Sequence, residues 1–457
     1  MPQASLPHVL LEHRPSRLVL RLAFPSMAAM LASSLASLTD ALFLSRVSSS
    51  LASAAAYCLP LISLIQTVGF TLGMGAGSFV SRRLADRDTS RSESAASTAL
   101  AAALALGALI CLLGQLFPSS LLRLLGAQKT DLPAMIAYVR FLLAGAPITC
   151  ASLVLGSLLR AQGRPLPCAA AYSLGTLLGA ALSYVLICQR SLGVLGAGVA
   201  MLAREAFILA VFSYYMLRGH SALRLSLCAV SVRPAVAADI MRSGTPTLVR
   251  QGLMSVSGTM LSHALAQFGE NAAAGMGLAL RAVNLVSSAM IGFSQGLSPV
   301  CGANFGAGNT DRVKEAYRFS IRVCTVSLIA LGTAVFFFAP ALMSRFAPDA
   351  ASAAFGTAAL RAQSAVFFAQ GTVILMNALT QSMGLTVRAT LISSGRQGYV
   401  LIPLLMLLPR FFGARGLIYA QPASDLLSLV IGWALMMKFT GFSFSPCGCC
   451  DARRASR

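Results

Sequence analysis

Charge is scarce in this sequence of 457 residues, where Asp, Glu, Lys and Arg together make up only 11%. Soluble globular chains carry about 25%, so a water-covered surface for a chain of this length cannot be assembled from what is present. Acidic residues are the scarcer sign, 14 against 35 basic, leaving a net charge of +21. In a soluble domain that excess would point to nucleic acid, but one Trp and 7% aromatics offer little with which to stack bases. Four scattered histidines form no H-E-x-x-H. No G-K-[ST] phosphate cradle occurs either, the nearest approach being Gln128-Lys129-Thr130. Eleven cysteines diluted over the chain exclude a small disulfide scaffold. Near the C-terminus Cys447, Cys449 and Cys450 cluster without a partner set of ligands, so neither a metal nor a cofactor is expected.

What is abundant is apolar, 56% of residues, with a mean hydropathy of +0.75. About 20 apolar residues cross a bilayer core as a helix. The sequence therefore predicts an all-α polytopic membrane protein with about twelve spans, near 18–44, 51–80, 95–117, 132–159, 165–187, 196–217, 244–267, 272–299, 319–341, 355–383, 398–412 and 416–437. With both termini in the cytoplasm, 21 basic residues fall on the inner side and 7 in outer loops. That asymmetry sets the orientation and turns most of the basic excess into topology. Pro2, Pro7, Glu12, His13 and Pro15 interrupt the opening residues, so no cleavable leader is expected and the first span is retained.

The sequence repeats itself. A shift of 221 positions lays Arg21 and Pro25 on Arg242 and Pro246, Gly75 to Ala95 on Gly296 to Ala316, and Gly163 on Gly384; at 220, Gly193 and Gly196 meet Gly413 and Gly416. Two six-helix lobes are expected, residues 1–230 and 231–457, with the basic stretch from Arg218 to Arg242 linking them. An even number of spans per half makes the repeats parallel, meeting along a central cleft suited to alternating access. Gly69, Gly73 and Gly77 form overlapping GxxxG steps, expected to pack helices. Gly292-Phe-Ser-Gln-Gly296 matches the nucleophile pattern G-x-S-x-G, which carries no chemistry within an apolar helix.

Ionisable groups inside spans are costly and so point to function or to pairing. The acids there are Asp40, Glu205 and Asp425. Ser33 and Ser37 share a helical face with Asp40, and this polar stripe suits a carboxyl that exchanges protons. The alternative is an Asp paired with an Arg of a neighbouring helix. Glu205 follows Arg204, but adjacent residues point about 100° apart and need not pair. Glu205 and Asp425 read as coupling sites or as polar glue. Arg250, Arg281, Arg322 and Arg361 either pair with these acids or give the second half an anion-friendly cavity.

Pro25 with Asp40, Gly73-Met-Gly-Ala-Gly77 running into Ser81-Arg82, and Leu159-Arg160-Ala-Gln-Gly163 mark the first half. Gln295-Gly296 with Pro299, Asn304-Phe-Gly-Ala-Gly-Asn309 with Arg312, Gly395-Arg396-Gln397 with Pro403, and Pro422-Ala-Ser-Asp425 mark the second. In order and spacing these resemble the MATE family of multidrug and toxic compound extrusion transporters, and most its DinF-like bacterial branch. The resemblance implies V-shaped lobes in a cell inner membrane and no catalysis. It also implies export of amphipathic, often cationic small molecules in exchange for H⁺ or Na⁺, with no nucleic acid or protein partner. On that resemblance Asp40 holds the place of the coupling aspartate and Pro25 that of a hinge. Gln251, Arg281 and Gln295 are expected as cavity polars, and Met254, Met276 and Met290 as an adaptable lining. The match is incomplete, since Gly179 and Ser183 stand where relatives carry Asn and Asp. A competing reading is a flippase or exporter of a lipid-linked or anionic substrate.

Overall fold

The computed structural model describes residues 10–440 except 48, 86–88, 125–131, 191, 219–222, 224, 226–228, 231–233 and 348. The cysteine cluster at 447–450 and much of the linker lie outside the described residues, as do the side chains of Ser37 and Asp40 within their helix. Every extended element is helical: α1 (Pro15–Val47), α2 (Ser49–Ala85), α3 (Thr89–Leu116), the short α4 (Pro118–Leu124), α5 (Leu132–Ala144), α6 (Ala146–Ala161), α7 (Pro165–Ser183), α8 (Gly193–Leu217), α9 (Pro234–Ala266), α10 (Glu270–Gly306), α11 (Thr310–Phe346), α12 (Ala350–Ser364), α13 (Phe367–Ser382), α14 (Thr386–Ser394), α15 (Leu401–Phe412) and α16 (Ala414–Thr440). A π turn at Tyr184–Gln189 extends α7, and another at Gly395–Tyr399 joins α14 to α15.

Ten segments among the described residues are long and apolar enough to cross a membrane, and eleven when α12 and α13, bent by 52°, count as one. The seventh expected span, at 244–267, is a helix within α9 but is too polar to qualify. Its Ser243, Thr247 and Gln251 are buried against neighbouring helices, so protein rather than lipid receives them.

The repeat governs the bends as well as the residues. The break between α5 and α6 falls at Gly145, just before Pro147, whose missing N–H interrupts the ladder. The break between α12 and α13 falls at Val366, 221 positions on. Gly163 and Gly384 adopt φ of 74° and 76°, and Gly193 and Gly413 φ of 52° and 58°. These left-handed turns, which any side chain would strain, recur at the offsets that the sequence alignment gives.

Two hydrophobic cores result, one centred on α2 to α8 and the other on α10 to α16. The crossing elements reach into both cores, with Ala29 of α1 in the first and Leu265 of α9 in the second. Leu18, Val19, Leu22 and Ala23 of α1 belong to the second core, while Ile240 of α9 belongs to the first. α1 therefore packs along α10, and its repeat-mate α9 packs along α2.

Candidate functional site

The two bundles meet along a seam built from glycine. A Cβ on Gly296 would stand 2.5 Å from Ala23 Cα, and one on Gly292 2.5 Å from Met27 Cα. In the repeat-equivalent crossing, a Cβ on Gly75 would stand 2.3 Å from the carbonyl of Ile240 and 3.2 Å from Gly244 Cα. Backbones approach this closely only where no side chain intervenes. The G-x-S-x-G stretch is thus packing surface. Ser294 Oγ donates to the carbonyl of Ile291 at 2.7 Å, within its own helix. By contrast Gly69, Gly73 and Gly77 face α6, where Gly73 sits against Ser157 and Leu153.

Polar contacts lock the seam at the end where α1 begins and α2 ends. Arg82 Nη1 donates to the carbonyls of Gln381 (3.3 Å) and Ser382 (3.1 Å), and Nη2 to Ser243 Oγ (3.3 Å). A cation at the last carbonyls of α13 is also favoured by the dipole of that helix. Gln381 Nε2 in turn donates to the Ser243 carbonyl and to Thr247 Oγ1, at 3.2 and 3.1 Å. Asn304 Nδ2 donates to the carbonyl of Leu10 at 3.1 Å, and its Oδ1 accepts from Arg312 Nε at 2.9 Å. Arg312 also donates to the carbonyl of His13.

Further along, Ser34 donates to Ser288 at 2.6 Å and Ser63 meets Ser255 at 3.0 Å. Flanking these contacts, Leu35, Leu64, Val256 and Leu285 are exposed, and they form two repeat-equivalent pairs. Met254 is 47% exposed in the same stretch of α9.

The expected cavity residues do not gather into one cluster. Gln295 is buried in the seam, with Nε2 3.7 Å from Met30 Sδ. It lines a cavity of about 30 Å³, room for one water, with Gly73, Ser157, Arg160 and Pro299. Arg281 is exposed on the same helix, 14 residues and roughly 21 Å earlier along its axis. Gln251 is buried on α9 and Ser33 half-buried on α1. Met276 and Met290 are buried in the second core, so they pack rather than line a cleft.

The described acids deep in helices are both paired. Adjacent or not, Arg204 and Glu205 do meet, Nε to Oε1 at 3.3 Å. Arg204 also lies over Gly179, where a Cβ would stand 3.1 Å from its Cδ. Asp425 is fully buried and pairs with Arg396 at 2.6 Å, rather than with Arg250, Arg281, Arg322 or Arg361. Its other oxygen accepts from Gln363 Nε2 at 2.6 Å, and Gln421 Nε2 lies 3.4 Å from the first. Arg361 instead donates to the carbonyl of Phe336 and covers its ring.

Arg82, Gln381, Asn304 and Gln363 carry much of this geometry without having been singled out as site residues. Arg82, Arg396 and Asn304 stand in the motif segments, so the signal was present but read as topology or family likeness. Among the described residues no group of three or more His, Cys, Asp or Glu is placed to hold a metal ion.

Comparison with known proteins agrees with this architecture. The MatE family profile matches twice, over residues 25–185 and 246–407, with starts 221 apart. The multidrug export protein MepA of Staphylococcus aureus is 25% identical over 392 residues, 85% of this chain and 86% of that protein. A MATE crystallised in complex with MaL6 superposes with a TM-score of 0.90 at 24% identity, covering 96% of this chain and 99% of the other. An outward-facing multidrug resistance MATE transporter of the MOP superfamily gives 0.89 at 24% identity, covering 95% and 98%. With one profile matched in both halves and the V of two bundles shared throughout, the chain belongs to the MatE family of multidrug and toxic compound extrusion transporters.

Proposed function

We propose that this multi-pass membrane protein exports amphipathic, often cationic small molecules across the cell inner membrane by antiport with H⁺ or Na⁺. Both termini would face the cytoplasm, and lobes 1–230 and 231–457 would rock against each other. The observation that carries the reading is the seam. It is latched at one end by Arg82 on the carbonyls of Gln381 and Ser382, whereas exposed apolar residues flank it further along. A closed end opposite an apolar, exposed stretch is one of the two states alternating access requires. The names of the MepA relatives support the substrate class.

Coupling is assigned to Asp40, with Pro25 as the hinge, where the helix ladder already lacks one bond. Cation uptake at Asp40 would shift α1, and α1 lines the seam through Ala23 and Met27. Glu205 and Asp425 are secondary candidates, and their arginine partners favour a structural part. Ser33, Ser37, Gln251, Met254, Arg281 and Gln295 would meet substrate at successive depths rather than in one pocket.

The test is efflux of a fluorescent lipophilic cation from proteoliposomes, with proton and sodium gradients imposed separately. Gradient-driven efflux is expected from the parent protein and its loss from Asp40→Asn, and the effective gradient names the ion. Efflux from Asp40→Asn equal to the parent would move coupling elsewhere. No efflux from either would turn attention to a lipid-linked or anionic substrate.

A further inference from the structure

On the outer face of the second bundle, α11 and α16 both pack on α13 without packing extensively on each other. The groove left between them holds a cavity of about 330 Å³. Its floor is Thr372 and Met376 of α13, and one wall is Leu429, Val430, Trp433 and Met436 of α16. The other wall is α11, which contributes Tyr317, Ile321 and two arginines, Arg318 and Arg322. Val430 is 62% and Trp433 47% exposed, so the groove opens outward, away from the seam.

Two features give it a ligand chemistry. The first is charge, because the two charged side chains among the described residues of the lining are both arginines. Arg322 joins none of the ion pairs among the described residues. The second is depth. α11 has 37 residues, roughly 55 Å at 1.5 Å per residue, against a hydrocarbon core of about 30 Å. Its first turns therefore stand clear of the hydrocarbon. Arg318 and Arg322 lie two to three turns in from Thr310, the depth at which guanidinium groups reach lipid headgroups and Trp rings settle.

We infer that the groove between α11 and α16 binds an anionic phospholipid, with its phosphate held by Arg318 and Arg322 and an acyl chain laid over Met376, Leu429 and Trp433. A zwitterionic lipid presents the same chain but cancels its phosphate with a cation, and would be held less well.

Trp433 is the sole tryptophan of the chain, so it reports on this groove alone. The full-length protein is reconstituted in phosphatidylcholine vesicles with brominated phosphatidylglycerol or, at equal mole fraction, brominated phosphatidylcholine, and Trp433 quenching is followed. Quenching by the brominated phosphatidylglycerol is expected to reach half its maximum at a several-fold lower mole fraction. Arg318→Gln combined with Arg322→Gln should bring the two lipids level while leaving quenching by brominated phosphatidylcholine intact. The single Arg322→Lys keeps the charge and should keep most of the preference, which covers the case of a double variant that fails to fold. Equal quenching by both lipids in the parent protein would overturn the proposal as ordinary bilayer contact. So would a preference that survives in the double variant, or the absence of quenching by either lipid.

Discussion

Asp425 shows what burial demands of a charge. Its carboxylate is sealed from solvent and takes donors from Arg396, Gln363 and Gln421, leaving little room for an exchanging proton. Removing one partner of a buried ion pair strands the other and costs about 3–5 kcal/mol, whereas replacing both with neutral groups costs far less. Asp425→Asn should therefore lower the thermal unfolding midpoint in detergent markedly, and Asp425→Asn with Arg396→Gln should recover part of the loss. An unchanged midpoint together with lost efflux would make Asp425 a coupling residue instead. The acid was legible in the sequence as costly, but its partner was not. Arg396 is 29 positions away and reaches it from a π turn, an irregularity that no helical periodicity announces. The sequence left the pairing of Arg204 with Glu205 open, and Gly179 clears the space into which Arg204 folds.

At the scale of helices, glycine decides which surfaces touch. The GxxxG steps of α2 were readable as packing, yet nothing in their spacing says that they face α6 while Gly75, between them, faces α9. Only the assembled bundle separates the two faces. Because a side chain at Gly75 or Gly296 would collide with backbone, Gly75→Val and Gly296→Val should each hold the latched end apart. Spin labels at Glu93 and Glu315, in α3 and α11 near that end, should then show a longer distance by double electron–electron resonance than in the parent protein. Unchanged distances would mean that the seam yields elsewhere. The repeat was the most legible feature of all, because the left-handed turns at Gly163 and Gly384 need glycine at a fixed offset, whereas the bends at Gly145 and Val366 share no residue type and were not legible. The seventh span was harder to read, since α9 is polar enough to fail a hydropathy test while still lying among the other helices.

For the whole molecule, the bias of basic residues toward one side makes a topological prediction. A green fluorescent protein fused to the C-terminus in a bacterial host should fluoresce, and an alkaline phosphatase fused at the same point should be inactive. The reverse pattern would invert the orientation and place the latched end outside. The reach of α1 and α9 into both cores bears on how such a chain is made. Leu22 of α1 has its hydrophobic neighbours in the second core, Leu297 among them. Ribosomes add about 5–20 residues per second, so the 275 residues between these two take roughly 14–55 s to appear. For that interval the stretch of the opening helix from Leu18 to Ala23 lacks the core it finally joins, while Ala29 already belongs to that of the first half. The last-made half of the chain completes the burial of the first-made helix, and the two lobes mature together rather than in turn.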